Sequence, residues 1–198
     1  MAAGIHYDLT PAIENEELYN IKTGVRKTGP WKLDTANLVE GSILPVFTPV
    51  QADMATHKIV PVRNMKVVED YTTGDSALTI KVDKKNLAYA GMFIGNGSKG
   101  SKVTAIDRSN ASYDTLTIAT AFGADLKVGN IIYESTAAGG TVKKQTANFV
   151  LYGRKKVETN DPVLPTLLMQ AYEVKESKLP FFLTEADKTG LTSRFQFD

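Results

Sequence analysis

Residues 77–82 read ALTIKV and residues 114–120 read DTLTIAT. In the first run Leu78, Ile80 and Val82 fall on one side of an extended chain, with Thr79 and Lys81 on the other. In the second, Leu116 and Ile118 oppose Thr115 and Thr117. Side chains of a strand alternate between its faces, so each run buries one face and wets the other. A helix needs apolar spacings of three and four, which neither run has. Strands are also expected at 42–47, 58–62, 65–69, 102–107, 130–134, 149–152 and 166–174. Turn chemistry separates the runs: Thr73-Gly74-Asp75, Gly95-Asn96-Gly97-Ser98, Ser109-Asn110 and Gly139-Gly140 supply positive-φ positions or side-chain-capped turns. Short apolar runs at such regular intervals predict an all-β fold. Pro45 and Pro61 lie inside two of the runs and predict edge or bulged strands, because proline cannot donate to a ladder.

One short C-terminal helix is expected. Thr184 is an N-cap followed by acidic Glu185 and Asp187, with Leu191 and Phe195 as its apolar stripe, although Gly190 weakens it. A weaker helix is placed near 12–19. The organisation read from these signals is a polar, extended N-terminal arm over 1–37 and a β-rich body over 38–73 and 137–198. Between the body's two parts lies an inserted small β-barrel over 74–136. The body itself is expected to be a β-tulip or small barrel.

Composition narrows the function. With 23 Lys+Arg against 22 Asp+Glu the net charge is +1, which argues against a nucleic-acid binder. The absence of cysteine removes disulfides, thiolate catalysis and Cys-ligated zinc. Two histidines, His6 and His57, leave too little for a histidine metal site or a Ser-His-Asp triad. No apolar run nears the roughly 20 residues that cross a bilayer, and the N-terminus lacks a signal-peptide pattern. The chain reads as soluble, made inside the cell and non-enzymatic, with no cofactor, no metal, no membrane and no nucleic-acid partner.

Motifs that resemble chemistry resolve into plainer features. The stretch 91–102 carries glycines, Lys99 and Ser101, but a phosphate loop needs GxxxxGK with Ser or Thr next, leading into a helix. Here Ser101 precedes Lys102 and a strand follows. The carboxylates Glu69-Asp70 and Glu158 with Asp161 sit among turn residues, and Glu14, Glu16 and Glu17 in the arm, so all read as solvated. The basic clusters Arg26-Lys27, Lys81 with Lys84 and Lys85 around Asp83, Lys143-Lys144 and Arg154-Lys155-Lys156 read as wet loop faces. Trp31, the sole tryptophan, has two readings: a plug into the body's own core, or an anchor on a partner. What remains is a β-rich chain without chemistry, the profile of a binding or structural part whose edges are covered by assembly.

The order of segments resembles the head decoration and head fibre proteins of tailed bacteriophages, including virion proteins of phages and prophages of Bacteroides-like gut bacteria. Four stretches carry the resemblance. They are Leu38 to Phe47, the insert runs from Ala90 to Glu134, the return strand Thr146 to Tyr152, and the closing stretch Leu168 to Val174 with Lys178-Leu179-Pro180 and Leu191 to Phe197. The resemblance implies a structural virion protein on the capsid surface, stabilising the shell as a homotrimer. The major capsid protein would be its partner, and a glycan is a candidate ligand on the outer face. It further implies that residues 1–37 grip the capsid, with Arg26, Lys27, Trp31 and Lys32 at the root of that arm. The alternative is a host-surface or carbohydrate-binding module of a phage fibre, which predicts an exposed aromatic patch from Tyr113, Tyr133 or Tyr152. An enzyme would instead show a deep pocket holding carboxylates of raised pKa.

Overall fold

A computed structural model describes residues 18–74, 78–158 and 163–198. Two sheets dominate it, and they are built in different ways. The first runs β1 (Val25–Lys27), β14 (Leu167–Val174), β12 (Phe149–Leu151), β4 (Pro49–Ala52), β5 (Lys58–Pro61), β2 (Lys32–Leu33), and β15 (Phe195–Phe197) lies parallel to β14. This body sheet is buried on both faces. In β12, Phe149 and Leu151 enter one core with Trp31, Leu33, Val50 and Ile59, while Val150 enters the other with Tyr19, Phe47, Leu168 and Leu191. A strand covered on both sides reads as a continuous apolar run rather than an alternating one.

The described part of the expected arm belongs to this sheet. Residues 25–27 and 32–33 supply its two opposite edges, β1 and β2. Five inter-strand steps of about 4.8 Å separate those edges, about 24 Å across a flat sheet. Lys27 and Lys32 are only five residues apart, and such a chain reaches at most about 18 Å. The sheet therefore curls, and residues 28–31 strap across its open side. Trp31 fills the core beneath the strap, 2% exposed and 5.3 Å from the His57 ring. Preceding β1, residues 18–24 run along β14, where Asn20 N–H donates to Tyr172 O and Lys175 N–H to Leu18 O. The helix expected near 12–19 lies almost wholly outside the described residues.

The second sheet runs β6 (Asn64–Lys66), β11 (Ile131–Glu134), β8 (Phe93–Gly95), β9 (Gly100–Asp107), β10 (Tyr113–Ile118), β7 (Thr79–Asp83). A bridge between Val67 and Val82 joins its two ends and closes it into a six-stranded barrel. Five of the strands lie within 74–136, and the sixth, β6, comes from ahead of that stretch. Ile80, Val82, Leu116 and Ile118 face the interior with Met65, Val103 and Ile132, and β10 pairs with β7 so that Leu116 faces Ile80. Phe122 and Leu126 add to this core, and Tyr71 Oη accepts the Phe122 N–H at 3.1 Å. At the β8–β9 turn Asn96 Oδ1 accepts from Ser98 N–H and Lys99 N–H, so the glycine-rich stretch is a hairpin turn. A Cβ on Gly95 would lie 2.3 Å from Gly140, so this close backbone approach requires glycine.

Two expectations from proline and helix signals are refined. Pro61 ends β5, an internal strand, at a point beyond the end of β2, which pairs only with Lys58 and Ile59. Its missing donor therefore faces no acceptor strand. Pro45 follows β3 (Ile43–Leu44), which pairs with β13 (Lys155–Lys156), and its carbonyl accepts from Thr48 in a turn. The helix α1 (Glu185–Leu191) begins at Thr184 in a capping box with Asp187. Gly190 is needed there, since a Cβ would sit 2.3 Å from Ala147 O. Phe195 lies beyond the helix, in β15.

Candidate functional site

The residues singled out for partner binding occupy three different settings. Arg26 and Lys27 lie on β1, the outer edge of the body sheet, in register with Leu168 and Leu167. Arg26 is exposed, with its guanidinium 4.9 Å above the Tyr152 ring, and Lys27 is half-buried. Lys32 is exposed on β2 at the opposite edge. Trp31 is interior, so it plugs this chain's own core. Arg26 and Lys27 lie on one edge of the sheet, Lys32 on the other and Trp31 beneath the surface, so the four do not form one patch.

Among the described residues β1 has a strand neighbour on one side only, β14. No described strand pairs with its other side, where Val25 is 43% exposed. Such an edge accepts an added strand from a partner, with backbone bonds giving affinity and side chains giving selectivity. The barrel offers no counterpart, because its sheet closes on itself.

Charged side chains also gather inside the molecule, where the barrel joins the body. Glu134, 2% exposed, accepts from Arg63 Nη1 at 3.0 Å, Tyr89 Oη at 2.7 Å and Lys144 Nζ at 2.7 Å. Arg63 Nη2 donates to Ala36 O at 2.9 Å, which ties the N-terminal segment to the same cluster. Asp187, fully buried, accepts from Ala147 N–H, Asn64 Nδ2, Thr184 N–H, Thr184 Oγ1 and Lys143 Nζ. A third cluster within the barrel holds Asp114 between Lys84, Asn86 and Arg108. Burial alone would push all three carboxyls up, but the cations and donors around them outweigh it and their pKa values fall below the ordinary ones. They are held as anions, opposite to the raised carboxyl that acid catalysis requires. Burial pushes the Lys143 amine down, against the pull of Asp187.

The tyrosines of the carbohydrate reading are each covered by a cation. Lys81 lies 5.0 Å from the Tyr113 ring, Lys143 5.5 Å from Tyr133, and Arg26 4.9 Å from Tyr152. All three rings are half-buried, so the described residues present no open aromatic platform there. A groove of about 380 Å³ runs between the barrel and the turn at 176–182, with Lys66 and Lys85 near the Phe182 ring. Among the described residues no three His, Cys, Asp or Glu side chains come together as a metal site. No described helix is long and apolar enough to cross a membrane.

Sequence reasoning missed the junction clusters. Lys143-Lys144 read as a wet run, yet the Lys143 side chain is 9% exposed and Lys144 pairs with a buried carboxylate. The one legible signal was the Thr184–Asp187 cap spacing, which places Asp187 at the helix start without revealing its remote partners. Glu69 pairs with Lys81 and Asp70 with Lys127 at the surface, as their turn contexts imply. His6, Glu14, Glu16, Glu17 and Asp161 lie outside the described residues.

Compared with known proteins, the chain matches the sequence model of a phage family described as head fiber protein over residues 2–195. No curated protein and no solved structure matches it.

Proposed function

The chain belongs to the phage head fiber protein family, and from that premise we propose that it docks on the outer face of the capsid, adding its β1 edge to the major capsid protein. The family makes it a structural component of a phage virion. In our reading it works without catalysis, as a homotrimer that stabilises the shell. The observation that carries the docking reading is the β1 edge, open among the described residues and bearing exposed Val25 and Arg26. Backbone pairing along such an edge needs no deep pocket. A shell repeats its binding sites, so three linked edges give avidity well above that of one.

The test is co-sedimentation with capsids lacking this protein. The double variant Arg26→Glu, Lys27→Glu reverses the charge beside the edge and is expected to weaken binding at least about tenfold. Unchanged binding overturns the β1 assignment. Light scattering on the free protein is expected to give three times 21.6 kDa. A single-chain mass both free and released from capsids overturns the trimer.

A further inference from the structure

Three buried polar side chains meet where the chain enters and leaves the barrel. Asn64, 2% exposed, opens β6. Lys143 lies on the connection from β11 to β12, and fully buried Asp187 lies in the first turn of α1. Asp187 Oδ2 accepts from Asn64 Nδ2 at 2.8 Å and from Lys143 Nζ. Both nitrogens touch one oxygen, so they lie within two hydrogen-bond lengths of each other. The Asn64 amide nitrogen also donates to Phe182 O at 2.7 Å, whereas its carbonyl oxygen is buried without a partner. The Tyr133 ring flanks the Lys143 amine.

A buried amine, a buried carboxamide and a carboxylate touching both are the groups that an intramolecular transamidation needs. We propose that Lys143 and Asn64 become joined by an isopeptide bond, with Asp187 carrying the protons. Starting from the ion pair, Asp187 takes one proton from the Lys143 ammonium. The free amine attacks Cγ of Asn64 and forms a tetrahedral carbon. The protonated Asp187 donates to the otherwise unpartnered Asn64 oxygen as charge builds there. The bond from Cγ to Nδ2 then breaks. The proton held by Asp187 and a second one from the attacking nitrogen pass to Nδ2, which leaves as ammonium. One C–N bond forms and one breaks, Asp187 ends as a carboxylate, and nothing is oxidised or reduced. Burial assists the first step, since it lowers the cost of a neutral amine at Lys143. The product staples the barrel's entry strand to the stretch leaving it, which makes the barrel a covalently closed loop.

The experiment is intact-mass and tryptic-peptide spectrometry of the purified full chain. The expected mass is about 17 Da below that of the sequence, the loss of ammonia. The tryptic fragment from Asn64 to Lys66 is expected to be found joined to the fragment carrying Lys143. Lys143→Arg keeps a cation for Asp187 but removes the nucleophile, so it is expected to fold and to show the full mass. Three results overturn the proposal. The first is a wild-type mass equal to that of the sequence, with the fragment from Asn64 to Lys66 free. The second is an ammonia loss mapped to Asn96-Gly97 as a cyclic imide. The third is a loss of about 18 Da with Lys143 joined to Asp187, which removes Asn64 as the electrophile.

Discussion

The barrel draws its six strands from residues 64–134 and closes through Val67 and Val82, whereas the body sheet gathers strands from 25 to 197 and, among the described residues, leaves edges open. A closed barrel has no backbone row to offer, so it is inert to strand addition. Among the described residues the curled body sheet leaves one side of β1 without a strand neighbour, and its one tryptophan is buried under the strap. The same chain thus holds a sheet closed by its own strands beside one that, among the described residues, is not closed. Contact range differs as well. The barrel's most distant strand pairing joins Asn64 to Tyr133, while the body pairs Val25 with Gln170, so the body depends on contacts that span most of the chain.

This contrast breaks most sharply under core truncation. Trp31→Ala empties the core under the strap and is expected to cost about 3–5 kcal/mol, and Leu116→Ala inside the barrel about 2–5 kcal/mol. If the two regions melt as separate units, calorimetry shows each variant shifting a different transition. A single shared transition for both would mean that the junction couples them into one cooperative unit. Asp187→Ala tests that junction directly. It strands the buried Lys143 amine and is expected to cost about 3–5 kcal/mol in urea melts.

Gly190→Ala sharpens the comparison from the body side. Its Cβ would meet Ala147 O at 2.3 Å, and the displacement of α1 is expected to cost about 1–3 kcal/mol with barrel stability unchanged. Acid acts on both regions. Asp114 and Asp187 titrate below the ordinary 3.8 and Glu134 below 4.5, so the unfolded chain binds more protons in acid than the folded one. Their contribution is complete above those ordinary values and is lost as pH falls through them toward the folded values. The urea midpoint is expected to be flat near neutrality and to drop below about pH 4.5. The smallest effect belongs to the surface. Lys81→Ala removes an exposed pair with Glu69 and is expected to change stability by about 1 kcal/mol or less.

The barrel was the legible half. Ile80, Val82, Leu116 and Ile118 alternate because one side of their sheet is a packed interior and the other is wet, so period two survives in the sequence. Phe149-Val150-Leu151 and Leu167-Leu168 sit between two cores and carry no alternation to read. Strands β2 and β3 are two residues long, too short for any period. The strap was illegible for another reason: Thr28-Gly29-Pro30 match an exposed arm, and only a count of strand widths against chain reach shows that the strap must cross the sheet. In the candidate site, Arg26 and Lys27 were legible as surface charges. Arg63, Glu134, Lys143 and Asp187 were not, because an ion pair between residues 71 apart leaves no local pattern.

The strap also makes the protein its own optical gauge. The chain holds one tryptophan, and it lies under residues 28–31 against the His57 ring. Its emission reports that single joint without an added dye: blue-shifted while the indole is seated, red-shifted once water reaches it. Eight tyrosines spread over the rest of the chain contribute little when excitation is set to the red edge of indole absorption. Loosening of the N-terminal edge can then be followed in the isolated chain by the colour of one residue.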